Sequence, residues 1–477
     1  MKDTPKKLKR REIPFIAAVA PVAILFCLLT AVIVFKGPVA VTELSPFTLL
    51  ASAASALIIS LCLGTIRRRR MRVGFKRAAT QVLPAIPLLI FIALLATSWM
   101  MAGVVPAMVT YGMDMLNPHW FLAVTCLVSA VVSVMTGSSW STIATIGVAF
   151  IGIGDMMGHN SAWTAGAVIS GAYFGDKVSP LSDTTVIASS TCEVDIFDHI
   201  KYMMITTTPA MLIALVIFGL KGFFGESFNY AETSPLSAEL GRIFNLSPWL
   251  LVIPAATVIM IALRVPTLVT LGLSSLAGVV TALIVQPQFF AGHGFSGKLG
   301  KSALDLLTGF SVDTGSETAD ALISTGGVAG ILPVVFLVLS ALVFGWVMIG
   351  TGMLGTLTER LTRGLRRPVS IVSASIASGF TLSACTADQY LSIIIGGNMY
   401  RRLYRKHRLE NRLLSRSLED SVSATSPIIP WSSCGVTQSA VLGVSTFAYL
   451  PYCFFNYLTP LFGIAVAALG WKIRRTN

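Results

Sequence analysis

Long stretches of this chain carry no Asp, Glu, Lys or Arg: residues 13–35, 44–66, 78–113, 115–154, 156–175, 202–220, 243–263, 265–297, 321–358, 368–387 and 421–471. About 20 consecutive apolar residues, wound as a helix, cross a hydrocarbon core, and several of these stretches are long enough to do so twice. The pattern predicts an all-α polytopic membrane protein with about 12–14 membrane segments.

Composition agrees: of 477 residues 54% are hydrophobic and 12% charged, with a mean hydropathy of +0.77. The net charge of +13 is placed as topology would place it. Its basic clusters (residues 2–11, 67–77, 360–367, 401–416 and 472–475) flank apolar stretches, where Lys and Arg mark the cytoplasmic side, so nucleic acid is not the expected partner. Residues 222–241 and 302–320 hold Glu226, Glu232, Glu239, Asp305, Asp313, Glu317 and Asp320, as an outer face allows. Both termini are then expected inside. The first apolar run exceeds a signal-peptide core and reads as a retained span. The seven cysteines form no C-x-x-C pair and the five histidines have no ligand spacing, so neither a disulfide framework nor a resident metal or cofactor is indicated.

The chain also repeats itself. Trp99-Met-Met-Ala-Gly103 recurs as Trp346-Val-Met-Ile-Gly350, and the same offset of 247 sets Thr136-Gly-Ser-Ser139 on Ser383-Ala-Cys-Thr386. Asp176-Lys-Val-Ser-Pro-Leu-Ser182 matches Asp420-Ser-Val-Ser-Ala-Thr-Ser426, and Thr208-Pro209 matches Thr459-Pro460. The predicted organisation is a cytoplasmic tail (1–13), a first membrane repeat (14–221), an outer connecting loop (222–242), a second repeat (243–472) and a short cytoplasmic tail (473–477). With both ends inside, equivalent halves each cross an odd number of times and are inverted, which places a site near the midplane where broken helices meet.

The polar interruptions mark that site. Ala167, Gly171 and Gly175 form a small-residue stripe suited to close helix packing. Pro180 should unwind the chain around residues 176–180, which is tolerated at membrane depth only within protein or beside water. The freed carbonyls, Ser179, Ser182, Thr184, Thr185, Asp176 and Asp183 are hard oxygen donors suited to an alkali cation. Ser423 and Ser426, ahead of Pro427 and Pro430, offer a matching break in the other half. A second pair of polar tips, Ser138, Ser139 and Thr142 in one half and Asp388 in the other, could belong to re-entrant hairpins. Ion or substrate binding is therefore assigned to Asp176, Asp183, Ser179, Ser182, Thr184, Ser138, Ser139, Thr142, Asp388, Ser423 and Ser426, with Lys177 as counter-charge.

Plainer roles exist for each. Asp176 and Lys177 could form a structural ion pair, and Asp183 could cap a helix start. Asp420, after a basic stretch, could be solvated in the cytoplasm. Ser138, Ser139 and Thr142 could bond back to helix carbonyls, and Trp99 and Trp346 read as packing residues. Gly152-Ile-Gly-Asp155 matches the G-x-G-D of intramembrane aspartyl proteases, yet no Tyr-Asp partner stands in another span, so an enzyme is not expected. A channel would use similar residues without countertransport.

Gly137-Ser-Ser-Trp-Ser-Thr142 and the run Ala165 to Thr185 (AGAVISGAYFGDKVSPLSDTT) resemble the signature of the NhaC family of sodium/proton antiporters. The likeness extends over nearly the whole chain. It implies secondary exchange of Na+ for H+ in the bacterial cytoplasmic membrane, in contact with lipid, with relatives that exchange malate and lactate, and a likeness to the wider ion-transporter superfamily with its inverted repeats and paired hairpins. Val186 stands where the family often has a polar residue. The expected mechanism is competition of Na+ and H+ for buried carboxylates; the runner-up is a Na+- or H+-coupled exchanger of organic acids or amino acids. A homodimer is left open.

Overall fold

The computed structural model describes residues 13–36, 40–224, 240–263, 265–292, 294–312, 320, 323–362, 364–471 and 473. The expected cytoplasmic tails, apart from Ile13 and Ile473, and most of the expected outer loop, residues 225–239, lie outside the described residues. The described residues form helices and no β-strand.

In the first half the elements are α1 (Phe15–Lys36), α2 (Ala40–Cys62), α3 (Arg68–Val82), α4 (Ala85–Met101), α5 (Val104–Met115), α6 (Phe121–Thr136), α7 (Ser139–Thr142), α8 (Val148–Met156), α9 (Ser161–Val178), α10 (Asp183–Cys192) and α11 (Ile196–Phe224). A π-helical turn, Ile143–Gly147, joins α7 to α8. The second half contributes α12 (Val252–Ala262), α13 (Thr267–Val285), α14 (Phe295–Thr308), α15 (Gly327–Gly330), α16 (Leu332–Thr351), α17 (Met353–Thr362), α18 (Pro368–Thr386), α19 (Gln389–Lys406), α20 (Asn411–Leu418), α21 (Ser433–Leu442), α22 (Thr446–Tyr449) and α23 (Phe454–Ala468). Among the described residues seven helices are long and apolar enough to span a membrane, and nine spans result if each of two bent pairs counts as one. The bends are 71° between α4 and α5, at Gly103, and 55° between the α22 turn and α23, at Cys453.

Packing is closest between α6 and α9, and the small-residue stripe explains why. A Cβ on Gly171 would fall 2.0 Å from the Cys126 carbonyl oxygen, and one on Gly175 2.4 Å from that of Ala130. With glycine there, Ser133 Oγ reaches the Ala172 carbonyl at 2.6 Å. The halves interlock rather than lie side by side: α10 packs on α19 and α20, while α21 packs on α7, α4 and the 143–147 turn. Trp99 and Trp346 are packing residues with satisfied indoles, donating to Ser274 Oγ at 3.1 Å and to the Met71 carbonyl at 2.8 Å. Asp155 is exposed at the end of α8 and accepts from Ser161 Oγ at 2.6 Å.

The two halves match in backbone detail at the α6–α7 and α18–α19 tips and at the ends of α10 and α21, in a register that differs from the sequence matches. Helix α6 ends at Gly137 in the left-handed region (φ 68°) and α18 ends at Ala387, also left-handed (φ 57°). Thr136 Oγ1 accepts from the Ser138 amide at 3.2 Å, as Thr386 Oγ1 does from that of Asp388 at 3.3 Å. Thr142 Oγ1 donates to the Ser138 carbonyl at 2.9 Å, as Ser392 Oγ does to that of Asp388 at 2.7 Å. Thr136 therefore corresponds to Thr386, not Ser383: the tip register is 250, three residues beyond the identity-based offset. The same register carries Ser182 onto Ser432, which hold the N-cap positions of α10 and α21, and Glu193 onto Gly443, the left-handed residues that end them.

Candidate functional site

The chain unwinds between α9 and α10, but later than expected: α9 holds its helix through Val178 and the break occupies residues 179–182. The steric effect of Pro180 falls on the residue before it, Ser179, which is extended. Ser179 Oγ then donates to the Val134 carbonyl of α6 at 2.8 Å, and Thr185 Oγ1 reaches back to the Lys177 carbonyl at 3.2 Å. These bonds satisfy backbone groups that lipid could not. Ser182 Oγ pairs with Thr184 Oγ1 at 3.0 Å.

On the last turn of α9, Asp176 is 7% exposed and accepts a hydrogen bond from Ser139 Oγ at 2.8 Å. Gly137 makes that approach possible, since a Cβ there would lie 2.5 Å from Leu181 Cβ. Ser138 caps α7 by accepting from the Ser141 amide at 3.2 Å. Across from it, Asp388 is 1% exposed and caps α19, accepting from the Leu391 amide at 2.8 Å. Asp183 is the first residue of α10, beside the cap position and more exposed.

These groups open onto one cavity of about 200 Å³, lined by Ser138, Ser139, Asp176, Asp183 and Thr184 from the first half and Asp388 from the second. Trp140, Ser141, Thr267, Gln389, Tyr390 and Ser433 complete its polar wall, and among the described residues no Lys or Arg lines it. Trp140, Ser141 and Gln389 lie within the two polar tips that the sequence marks, whereas nothing in the sequence singled out Thr267, Tyr390 or Ser433. Gln389 and Tyr390 directly follow Asp388, and Ser433 is the register equivalent of Asp183, which is the signal that could have found it. Carboxylate and hydroxyl oxygens around a small cavity suit a hard monovalent cation, and among the described residues no three His, Cys, Asp or Glu side chains converge as a metal centre.

Other candidates lie elsewhere. Ser179 and Thr142 are turned into backbone bonds outside the cavity lining, Ser182 is outside the lining yet within hydrogen-bonding reach of the Asp176 carboxylate, and Ser423 and Ser426 are buried away from the lining. Lys177 is 2% exposed and pairs not with its neighbour Asp176 but with Asp420 of the other half, which is fully buried and also accepts from Thr206 Oγ1 at 3.0 Å. Arg416 Nε lies 3.6 Å from the other Asp420 oxygen. A solvated role for Asp420 is thus replaced by a buried one. The Arg416–Asp420 spacing of four residues was legible as a helical ion pair; the third charge, 243 residues away, was not.

The Na+/H+ antiporter family model matches residues 10–192 and 171–471, together nearly the whole chain. The chain belongs to the Na+/H+ antiporter family. It is 34% identical over 433 residues to the Na(+)/H(+) antiporter NhaC of Alkalihalophilus pseudofirmus, covering 89% of this chain and 92% of that protein. To the Na(+)/H(+) antiporter NhaC of Bacillus subtilis it is 35% identical over 383 residues, 79% of this chain and 82% of the relative. The Malate-2H(+)/Na(+)-lactate antiporter of Bacillus subtilis is 31% identical over 386 residues, 80% of each chain. Within this antiporter family the long motif from Ala165 to Thr185 supplies most of α9, the break and the start of α10, so the segment that carries the resemblance also builds part of the cavity wall. The chain is a multi-pass membrane transporter.

Proposed function

We propose that this antiporter exchanges Na+ for H+ across the bacterial cytoplasmic membrane, with both termini in the cytoplasm and its two halves inverted. One observation carries the reading: Asp176, buried and held by Ser139, shares a small oxygen-lined cavity with Asp388 of the opposite half. An ionised carboxylate removed from water is costly unless a cation or a proton accompanies it. Asp176 therefore takes Na+ or H+, one in place of the other, and Asp183, Asp388, Ser138, Ser139 and Thr184 supply further oxygens for the cation. If the halves rock about the cavity only when it is occupied, inward Na+ binding on one half-cycle and proton binding on the next give exchange without ATP.

A carboxylate or amino-acid cargo, the kind the malate–lactate relative is named for, needs a cation to hold it. Among the described residues the cavity presents none, and Lys177 is engaged by Asp420, which supports the ion reading. The test is purified protein in liposomes holding a trapped pH dye, challenged in turn with Na+, K+, malate and lactate. Proton movement with Na+ alone, lost in Asp176→Asn, is the expected result; movement only with malate or lactate would replace this reading with organic-acid exchange.

A further inference from the structure

The cavity does not use all the buried acid. Beyond α20 the chain forms a π-helical turn, Glu419–Ser423, of the kind that recurs at functional sites. Glu419 is fully buried there, has at most the Ser423 hydroxyl within hydrogen-bonding reach, and takes part in no ion pair among the described residues. One hydroxyl does not replace the water of an ionised carboxylate, so Glu419 holds a proton in this conformation.

Its neighbours make that proton removable. Around the turn stand two cations, Lys177 from α9 and Arg416 from α20, against one paired carboxylate, Asp420. Tyr173 and Asp176 on α9, Cys192 on α10, Cys385 on α18 and Tyr400 and Tyr404 on α19 are the other buried titratable groups on elements packed against it; Asp183 of α10 and Arg401, Arg402, Arg405 and Lys406 of α19 are more exposed, and His199 of α11 meets α20 at Ser415. Helices α18 and α23 bring no charged residue. With Glu419 protonated the cluster is one charge positive; with Glu419 ionised it is balanced. Of the two cations, Lys177 is the one whose charge acts on Glu419, while Arg416 lies against the Tyr202 ring.

We infer that Glu419 is a second proton-carrying site, separate from the Na+ cavity, so that more than one proton moves per Na+ and exchange is driven by membrane voltage. When the Lys177–Asp420 contact between the halves rearranges, the Glu419 O–H bond breaks, the proton passes to water on the open side, and the electron pair stays on a carboxylate balanced by Lys177. The return half-cycle reverses the step.

The inference rests on the exchange reading above, and the experiment separates the two. Wild type and Glu419→Gln are reconstituted in liposomes with a fixed Na+ gradient, and the pH gradient at which net flux stops is measured at several imposed potassium diffusion potentials. The expected wild-type balance point shifts with voltage, and the Glu419→Gln balance point does not. A voltage-insensitive wild type, or an unchanged shift in the variant, overturns the inference while leaving exchange intact; absence of any Na+-linked proton flux would fail the exchange reading instead. Should Glu419→Gln not transport, infrared difference spectra between acid and alkaline pH decide: loss of one protonated-carboxyl band relative to wild type supports the site, and identical spectra overturn it.

Discussion

Removing the Asp420 charge should harm this protein more than removing its partner Lys177, although the two form one ion pair. Both are buried, at 0% and 2% exposure. In Asp420→Asn the two cations Lys177 and Arg416 lose the carboxylate between them, and leaving a buried charge uncompensated costs roughly 3–5 kcal/mol. In Lys177→Met, Asp420 keeps Arg416 at 3.6 Å and the Thr206 hydroxyl at 3.0 Å, so the loss is closer to one charge-assisted hydrogen bond, about 1.5–3 kcal/mol. Against a total stability of about 5–15 kcal/mol the first change is severe and the second tolerable. The assay is reversible unfolding of the purified variants in mixed micelles, with the monodisperse fraction after extraction as a second measure. Glu419 gives an internal control: alone, Glu419→Gln replaces a neutral acid with its isostere and costs little, but added to Asp420→Asn it removes the remaining source of negative charge and should destabilise further. A Lys177→Met variant as unstable as Asp420→Asn, or an Asp420→Asn variant within about 1 kcal/mol of wild type, would refute this account of the cluster.

Three further outcomes follow from the same geometry. Gly171→Ala places a methyl 2.0 Å from the Cys126 carbonyl and should cost about 1–3 kcal/mol or more through separation of α6 from α9, read as a lowered unfolding midpoint; Ala→Gly at the neighbouring Ala167 should not reproduce it. Ser139→Ala removes one of the hydroxyl donors to Asp176 and should raise the KM for Na+ by up to about 10-fold, the equivalent of about 1.4 kcal/mol, with little change in folding. Asp388→Asn retains an oxygen to cap α19 while losing its charge, so it should leave the unfolding midpoint near wild type and abolish or strongly weaken Na+ transport, whereas Asp388→Ala should add the loss of the cap, about 1 kcal/mol.

Much of the helical architecture was legible because a membrane imposes it: uncharged stretches such as residues 265–297 and 321–358 hold α13 and α16. The Ala167–Gly171–Gly175 stripe was legible for the same reason, since close helix approach admits few residue types. What the sequence hid was register and long-range pairing. Identity matching aligned Gly137 with Ala384, yet the backbone equivalent is Ala387, an alanine in the left-handed region where glycine would have announced itself. The break after α9 slipped from 176–180 to 179–182 because Pro180 constrains its neighbour Ser179, while Thr185 satisfies the last helical carbonyls. Asp420 read as cytoplasmic because it follows the basic run 401–416, but α20 turns its Leu413, Leu414 and Leu418 into the core and carries Arg416 and Asp420 with them. No local pattern could name Lys177 as the third member.

The register of 250 also explains why the cavity is chemically lopsided although its walls are built twice. Each acidic position in one half faces a hydroxyl at the equivalent position of the other: Asp176 corresponds to Ser426, Asp183 to Ser433, and Asp388 to Ser138. Both members of the last two pairs line the cavity, whereas Asp176 does so without Ser426. A site with carboxylates at every equivalent position would gather like charges that no single Na+ could balance, and a site with hydroxyls throughout would give a proton nowhere to bind. Alternating the two keeps the number of oxygen donors to a cation while limiting the negative charge it must neutralise. On the proposed exchange, the matching backbone of the two tips fixes where the oxygens stand, and the divergence between the halves would set how many of them can exchange a proton for the ion.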